Sequence, residues 1–185
     1  MDLFDAIQAR CSTPKLDGPA PTAEQLQTLL SAAIRAPDHG VLRPWRFIPV
    51  VGDERQRLGE LMLAGLLEDD PALPQVQQDK ARNAPLRAPM VLIVVAEVQL
   101  NHRIPKLDQV LAVAAATQNL LLAAQALGLG AMWRSGAPAL SPAVKKRLGF
   151  AAHDEIVGFV YLGQPSGASR APGNETPQDF IRKLP

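Results

Sequence analysis

The apolar positions of the chain fall into three patterns, and each predicts a different kind of element. In the first they recur every three or four residues: Leu26, Leu29, Leu30, Ala33 and Ile34 make one face of a helix. Thr22, with Gln25 three positions on, is a capping box that opens this helix, and Pro37 ends it, leaving Arg35 at its C-terminus. A short helix is predicted over Leu3 to Arg10 and an amphipathic one over Asp53 to Leu67. In the second pattern the apolar run is continuous. Met90 to Ala96, preceded by Pro89, reads as a strand buried on both faces and so central in a sheet, and Glu155 to Gly163 reads as another. Trp45 to Val51 supplies β-formers behind Pro44, whose fixed φ and missing amide donor suit the mouth of a strand.

The third pattern is a stretch without charge, Gln109 to Trp133. Its length is enough to span a bilayer, but it is mostly alanine and is interrupted by Thr117, Gln118, Asn119 and Gln125, which leaves it weakly apolar where insertion demands most. A buried central helix from about Leu107 to Leu127, apolar on nearly all sides and covered by protein all round, accounts for it better, with Gly128 as its C-terminal cap. Leu129 to Trp133 then leads into a loop containing Arg134-Ser135-Gly136, and Ser141-Pro142 starts a short helix with a favoured N-cap and a first-turn proline. Two regions carry little pattern. One is the polar segment Gln75 to Arg82; the other is the tail from Gln164 onward, rich in Pro, Gly and Ser and predicted to wrap a surface or a partner.

A length of 185 residues fits one domain, 1–185, able to bury a sizeable core. With 19 basic and 18 acidic residues the net charge is +1, which gives no field that attracts nucleic acid or an anionic membrane. The basic run Lys145-Lys146-Arg147 reads as a solvated helix face. A single cysteine, Cys11, excludes an internal disulfide and fits a reducing compartment, and an N-terminus that mixes Asp2, Asp5 and Arg10 among apolar residues lacks a signal-peptide core. The expected location is the cytoplasm.

Spacing sets several chemistries aside. Gly128-Leu129-Gly130-Ala131-Met132-Trp133 has Trp where a dinucleotide-binding loop needs its third glycine, and it follows a helix instead of preceding one. His39, His102 and His153 lie far apart with no second ligand at helical or turn spacing, so no metal site is expected, and neither a P-loop nor a Gly-x-Ser-x-Gly elbow occurs. Cys11 lacks the arginine six positions on that a cysteine phosphatase loop requires. What remains is Arg10-Cys11-Ser12 at the end of the first helix, where a guanidinium fork, a hydroxyl and freed backbone amides can together hold a phosphate.

Five segments then recur in a known order. They are Arg10-x-Ser12; the Ala36-Pro37-Asp38-His39 loop running into Pro44-Trp45-x-Phe47; Asn83-Ala84-Pro85 before a buried strand; the long uncharged helix ending in Gly-x-Gly-Ala-Met-Trp133-Arg134-Ser135-Gly136; and Ile156-Val157-Gly158-Phe159-x-Tyr161-Leu162-Gly163. In this order the chain resembles the nitroreductase family of flavin enzymes over almost its whole length, and within it a small bacterial branch. The resemblance implies an α+β fold, an α-β-α sandwich with a central mixed sheet, assembled as a homodimer with one FMN in each of two clefts at the subunit interface. It also implies that Arg10, Cys11 and Ser12 hold the phosphate and ribityl side, that Arg35 and His39 reach the flavin from the partner chain, and that Trp133, Arg134 and Ser135 contact the isoalloxazine edge. The roles suit the chemistry: a phosphate dianion wants Arg10 with a hydroxyl, and backbone donors beside the ring stabilise the charge of the reduced flavin.

Two departures stand out. Larger relatives have Asn-x-Gln before Pro-Trp where this chain has Val41-Leu42-Arg43, and they carry a further basic pair near the C-terminus, to which Arg170 is the nearest basic residue of the tail. The implied reaction is ping-pong: NAD(P)H gives a hydride to flavin N5 and leaves, and a small electron-poor acceptor such as a nitroaromatic or a quinone takes its place. The cofactor carries that chemistry, so no catalytic side chain is expected. The alternative is a protein with little turnover that holds FMN for storage, sensing or delivery.

Overall fold

Strand β3 (Met90–Ala96) is buried along its whole length and divides the core in two. Because side chains alternate along a strand, Met90, Leu92, Val94 and Ala96 enter one apolar cluster while Val91, Ile93 and Val95 enter the other. Helices α2 (Ala23–Ala33) and α5 (Lys106–Ala126) cover the first face. Helices α3 (Glu54–Asp69), α4 (Gln75–Asn83), α6 (Ala137–Leu140) and α7 (Pro142–Arg147) cover the second. The result is the expected α-β-α sandwich, seen in a computed structural model that describes residues 2–167, 173 and 175–184. Arg170 lies outside them.

The sheet is antiparallel in every pairing among the described residues, where a mixed one was expected. Strand β5 (Glu155–Pro165) pairs with β3, with β4 (Gly130–Arg134) and with the two-residue β1 (Leu16–Asp17), and β2 (Trp45–Val51) pairs with the other side of β3. Pro49 sits in β2 without harm because β2 is an edge of the sheet, where one side needs no ladder.

The capping box forms as read: the Thr22 hydroxyl accepts from the Gln25 amide at 3.2 Å, and the Gln25 side chain accepts from the Thr22 amide at 2.9 Å. Gly128, at φ 71°, turns the chain after α5, with its own amide and that of Leu129 closing back on Gln125 and Ala124. Ser141 caps α7, its hydroxyl accepting from the Val144 amide at 3.0 Å.

Four expectations need correction. Leu129 to Trp133 is not the lead into a loop: Gly130–Arg134 forms β4, whose strand identity comes from pairing with β5. The polar segment at Gln75 is helix α4, whose one buried residue is Ala81 and which is held to α3 by the close approach of the Arg82 carbonyl to Gly59 and by the Arg82–Glu60 ion pair at 2.8 Å. Lys145 is not solvated. It is 8% exposed, and its ammonium donates to the carbonyls of Ala152 and Asp154 and to the Glu155 carboxylate; Arg147 pairs with Glu68. Helix α5 is long and apolar enough to cross a membrane by length and composition, yet the chain covers only one side of it. Gln109, Ala112, Val113, Ala116, Thr117, Leu120, Leu121 and Ala124 face the core, whereas Leu107 and Leu111 are 65% and 55% exposed. Exposed Leu3, Phe4 and Ile7 of α1 (Leu3–Ala9) add further apolar surface outside the core.

Candidate functional site

Strand β4 carries side chains to both faces of the sheet, and this alternation separates two residues that are adjacent in sequence. Trp133 turns toward the α2 and α5 side, where its indole N–H donates to the Val157 carbonyl at 3.1 Å. Val157 is skipped in the register between β3 and β5, a bulge that locally re-aims the strand. Gly158 beside it leaves room for the indole: a Cβ there would stand 2.2 Å from the Trp133 Nε1. Arg134 turns the other way, over the Tyr161 ring, with its guanidinium carbon 5.4 Å from the ring centroid.

The Arg134 side opens into a cleft of about 510 Å³. Phe159, Tyr161, Met62 and Leu66 give it apolar walls, Ser135 and Gly136 form a rim just past the end of β4, and Gln77, Lys80 and Arg87 bring polar groups from α4 and the following 3₁₀ turn (Ala84–Arg87). Among the described residues, no carboxylate lines this cleft. Burial, and then the neighbouring Arg87 guanidinium, hold the Arg134 pKa below its ordinary value, opposed by Tyr161. Burial raises the Tyr161 phenol, opposed by Arg134 and Arg87. Among the described residues the buried Arg134 Nε has no hydrogen-bond partner, which leaves an unsatisfied donor at the cleft.

The other expected residues lie elsewhere. Arg10, the C-cap of α1, is followed by Cys11 and Ser12 in a segment fixed to β4 by the Thr13 amide, which donates to the Ala131 carbonyl at 2.9 Å. Cys11 is a half-buried free thiol. The chain then lines a second recess of about 410 Å³ with Pro14, Lys15, Leu16, Asp17, Arg87 and Ser166. Arg35 lines a separate groove with Asp38, Val41, Arg43 and Trp45, and it also borders a shallow apolar groove with Leu3, Asn119 and Leu122 beside the uncovered side of α5. The His39 Nδ1 meets the Asp108 carboxylate at 3.0 Å. The loop that follows His39 is strained: Val41 and Arg43 have φ of 56° and 51°, held by the Arg43 and Val41 amides donating to the Asp38 side chain and carbonyl at 2.6 and 3.1 Å. A left-handed β-branched residue such as Val41 is costly and persists only where its surroundings impose it.

A single chain therefore gathers Arg134 and Ser135 into the cleft and brings Arg10, Cys11 and Ser12 alongside the same strand. It does not bring in Arg35 or His39, and the Trp133 side chain points to the opposite face. Lys80, Arg87, Phe159 and Tyr161 belong to the cleft without having been anticipated. Tyr161 had the one usable signal, its strand parity with Phe159.

The nitroreductase family model matches residues 7–164. The chain is 42% identical over 168 residues to the protein named "Putative NAD(P)H nitroreductase YdjA" of Escherichia coli (strain K12), covering 89% of each chain. Its fold is similar to that of the nitroreductase-like family protein from Bacillus cereus, with a TM-score of 0.86 at 23% identity over 100% of this chain and 96% of that one. A nitroreductase with bound FMN from Bacteroides fragilis NCTC 9343 aligns over 100% of both chains with a TM-score of 0.74 at 22% identity. With its five ordered segments, its sandwich, the family match over residues 7–164 and a relative 42% identical over 89% of the chain in agreement, the chain belongs to the nitroreductase family.

Proposed function

We propose that the protein is an FMN-dependent oxidoreductase that takes reducing equivalents from NAD(P)H and delivers them to a small electron-poor acceptor such as a nitroaromatic or a quinone. The observation that carries this reading is the acid-free cleft: apolar walls from Phe159, Tyr161, Met62 and Leu66 suit a flat ring, and the buried, unpartnered Arg134 Nε offers a donor to it. When bound, FMN would supply the redox chemistry. The chain supplies the rest. Ser135 and Gly136 follow β4 at the cleft rim, Arg134 would hold the ring with a donor and a positive charge, and Arg10 with Ser12 would offer a fork and a hydroxyl to the phosphate. The names of the relatives, which include NAD(P)H nitroreductases and a nitroreductase with bound FMN, support the cofactor and the reductant.

The working unit in this reading is a homodimer in the cytoplasm. The uncovered apolar side of α5, the exposed residues of α1, and Phe180, Ile181 and Leu184 of the tail, 74%, 68% and 94% exposed, provide the surface that a second copy would cover. Arg35 and His39, remote from their own chain's cleft and beside that surface, would then complete the partner's site. The test is extraction: the purified protein should release non-covalent FMN on denaturation at about one per chain. Release of FAD, or failure to take up added FMN, would contradict the proposal.

A further inference from the structure

Arg87 occupies a position that the sequence motifs do not mark. It is the last residue of the 3₁₀ turn before β3, exposed, and among the described residues the only one that lines both the cleft of Arg134 and the recess formed by Pro14, Lys15, Leu16, Asp17 and Ser166. That recess continues directly from Arg10-Cys11-Ser12 along the chain. Arg46, Arg82 and Arg147 each have a carboxylate partner, whereas among the described residues neither Arg87 nor Arg134 has one. Two guanidinium groups of like charge are thus held near one another at the junction of the two compartments, where among the described lining residues Asp17 of the recess is the one carboxylate, and a bound anion would relieve their repulsion. A planar guanidinium at such a junction suits a phosphate monoester, which accepts two parallel N–H bonds.

FMN is a flat ring joined by a short flexible chain to such a phosphate. With the ring in the apolar cleft and the Arg10-Cys11-Ser12 segment beside the recess, a ligand that extends from one to the other must pass Arg87. We infer that Arg87 is a second cationic contact to the FMN phosphate, supplementing Arg10 and Ser12. The assignment rests on the flavin reading above and adds a residue from a different part of the chain.

The experiment titrates apoprotein, freed of flavin, with FMN and with riboflavin, which lacks the phosphate, following quenching of flavin fluorescence. Arg87→Gln should raise the FMN Kd by about 10- to 100-fold and leave the riboflavin Kd unchanged, so that the preference for FMN collapses. Arg87→Lys should restore part of it, and inorganic phosphate should compete with FMN more weakly in Arg87→Gln than in the unmodified protein. Equal weakening of both flavins would mean that Arg87 shapes the cleft without touching phosphate, and an unchanged FMN Kd with a displaced reduction potential would place it at the ring; either result overturns the assignment. If the unmodified protein binds neither flavin, the functional reading itself fails. If it binds FMN and only the Arg87 effect is missing, that reading stands and the inference alone falls.

Discussion

A Cβ added to Gly158 would lie 2.2 Å from the indole Nε1 of Trp133 and 2.8 Å from the Arg134 carbonyl oxygen, so the close approach of β4 to β5 exists because position 158 has no side chain. The register of β4 on β5 sets which way β4 faces, with Trp133 toward α5 and Arg134 toward the cleft. Gly158→Ala must push apart backbone as well as side chain. Its expected cost is about 2–3 kcal/mol of folding stability, as for an overpacked core site, measured by denaturant unfolding; a cost under about 0.5 kcal/mol, the range of an ordinary surface change, would show that the indole moves aside freely.

Glu155 joins two cations, Lys106 and the nearly buried Lys145. Burial raises its pKa, but hydrogen bonds and charge from Lys106 and Lys145 outweigh burial and hold the carboxyl below its ordinary value of 4.5. A carboxyl depressed in the folded state contributes stability that is fully present above the unfolded value and is lost as pH falls through the folded one. Glu155→Gln should therefore be less stable than the unmodified protein at pH 7, and the gap should narrow once the pH drops below 4.5. Unfolding curves from pH 7 downward check this; a gap independent of pH would mean that the ion pairs contribute nothing.

In the proposed reading, the charge of Arg134 serves binding at the expense of the fold. Arg134→Met keeps the aliphatic packing on Tyr161 while removing a buried unpartnered Nε and the repulsion from Arg87. The flavin-free protein should be as stable as before or more stable, by up to about 1 kcal/mol, while its FMN affinity falls by roughly one decade, the loss expected of a charge-assisted contact. Thermal melting of apoprotein together with flavin titration gives both numbers. Lower stability with unchanged affinity would assign Arg134 to the fold alone.

The fold was most legible where local chemistry and burial agree. The capping box of Thr22 and Gln25, the glycine turn at Gly128 and the all-apolar run of β3 each specify an element without help from the rest of the chain. Strand β4 was missed because five residues after a helix cap acquire strand character only by pairing with β5, a partner some thirty residues away in sequence. Helix α4 was unclear because a helix with Ala81 as its one buried residue leaves almost no apolar stripe to read. Absence of charge in α5 was taken for burial, although an apolar side left open by one chain gives the same sequence. In the candidate cleft, Arg134 and Ser135 come from one segment that the sequence singles out, whereas Lys80, Arg87 and Tyr161 come from three separate elements and meet only in space.

If Arg35 and His39 complete the partner's cleft, assembly and flavin binding must strengthen one another. Added FMN should raise both the melting temperature and the dimer fraction on dilution, since a ligand that binds only the associated state stabilises it by mass action. Leu111→Glu, on the exposed side of α5, should yield monomer by sedimentation and weaken FMN binding together. A monomer with full FMN affinity would contradict the shared site.

The most direct measurement is anaerobic reduction of the FMN-loaded protein. On mixing with NADPH or NADH, the flavin absorbance near 450 nm, the ordinary oxidised flavin band, should bleach rapidly at the protein's own cleft, and subsequent addition of a nitroaromatic or a quinone should restore it without further nicotinamide. Bleaching that requires hours with both nicotinamides, or reduced protein that no electron-poor acceptor reoxidises, would contradict the account and leave a protein that only holds its flavin.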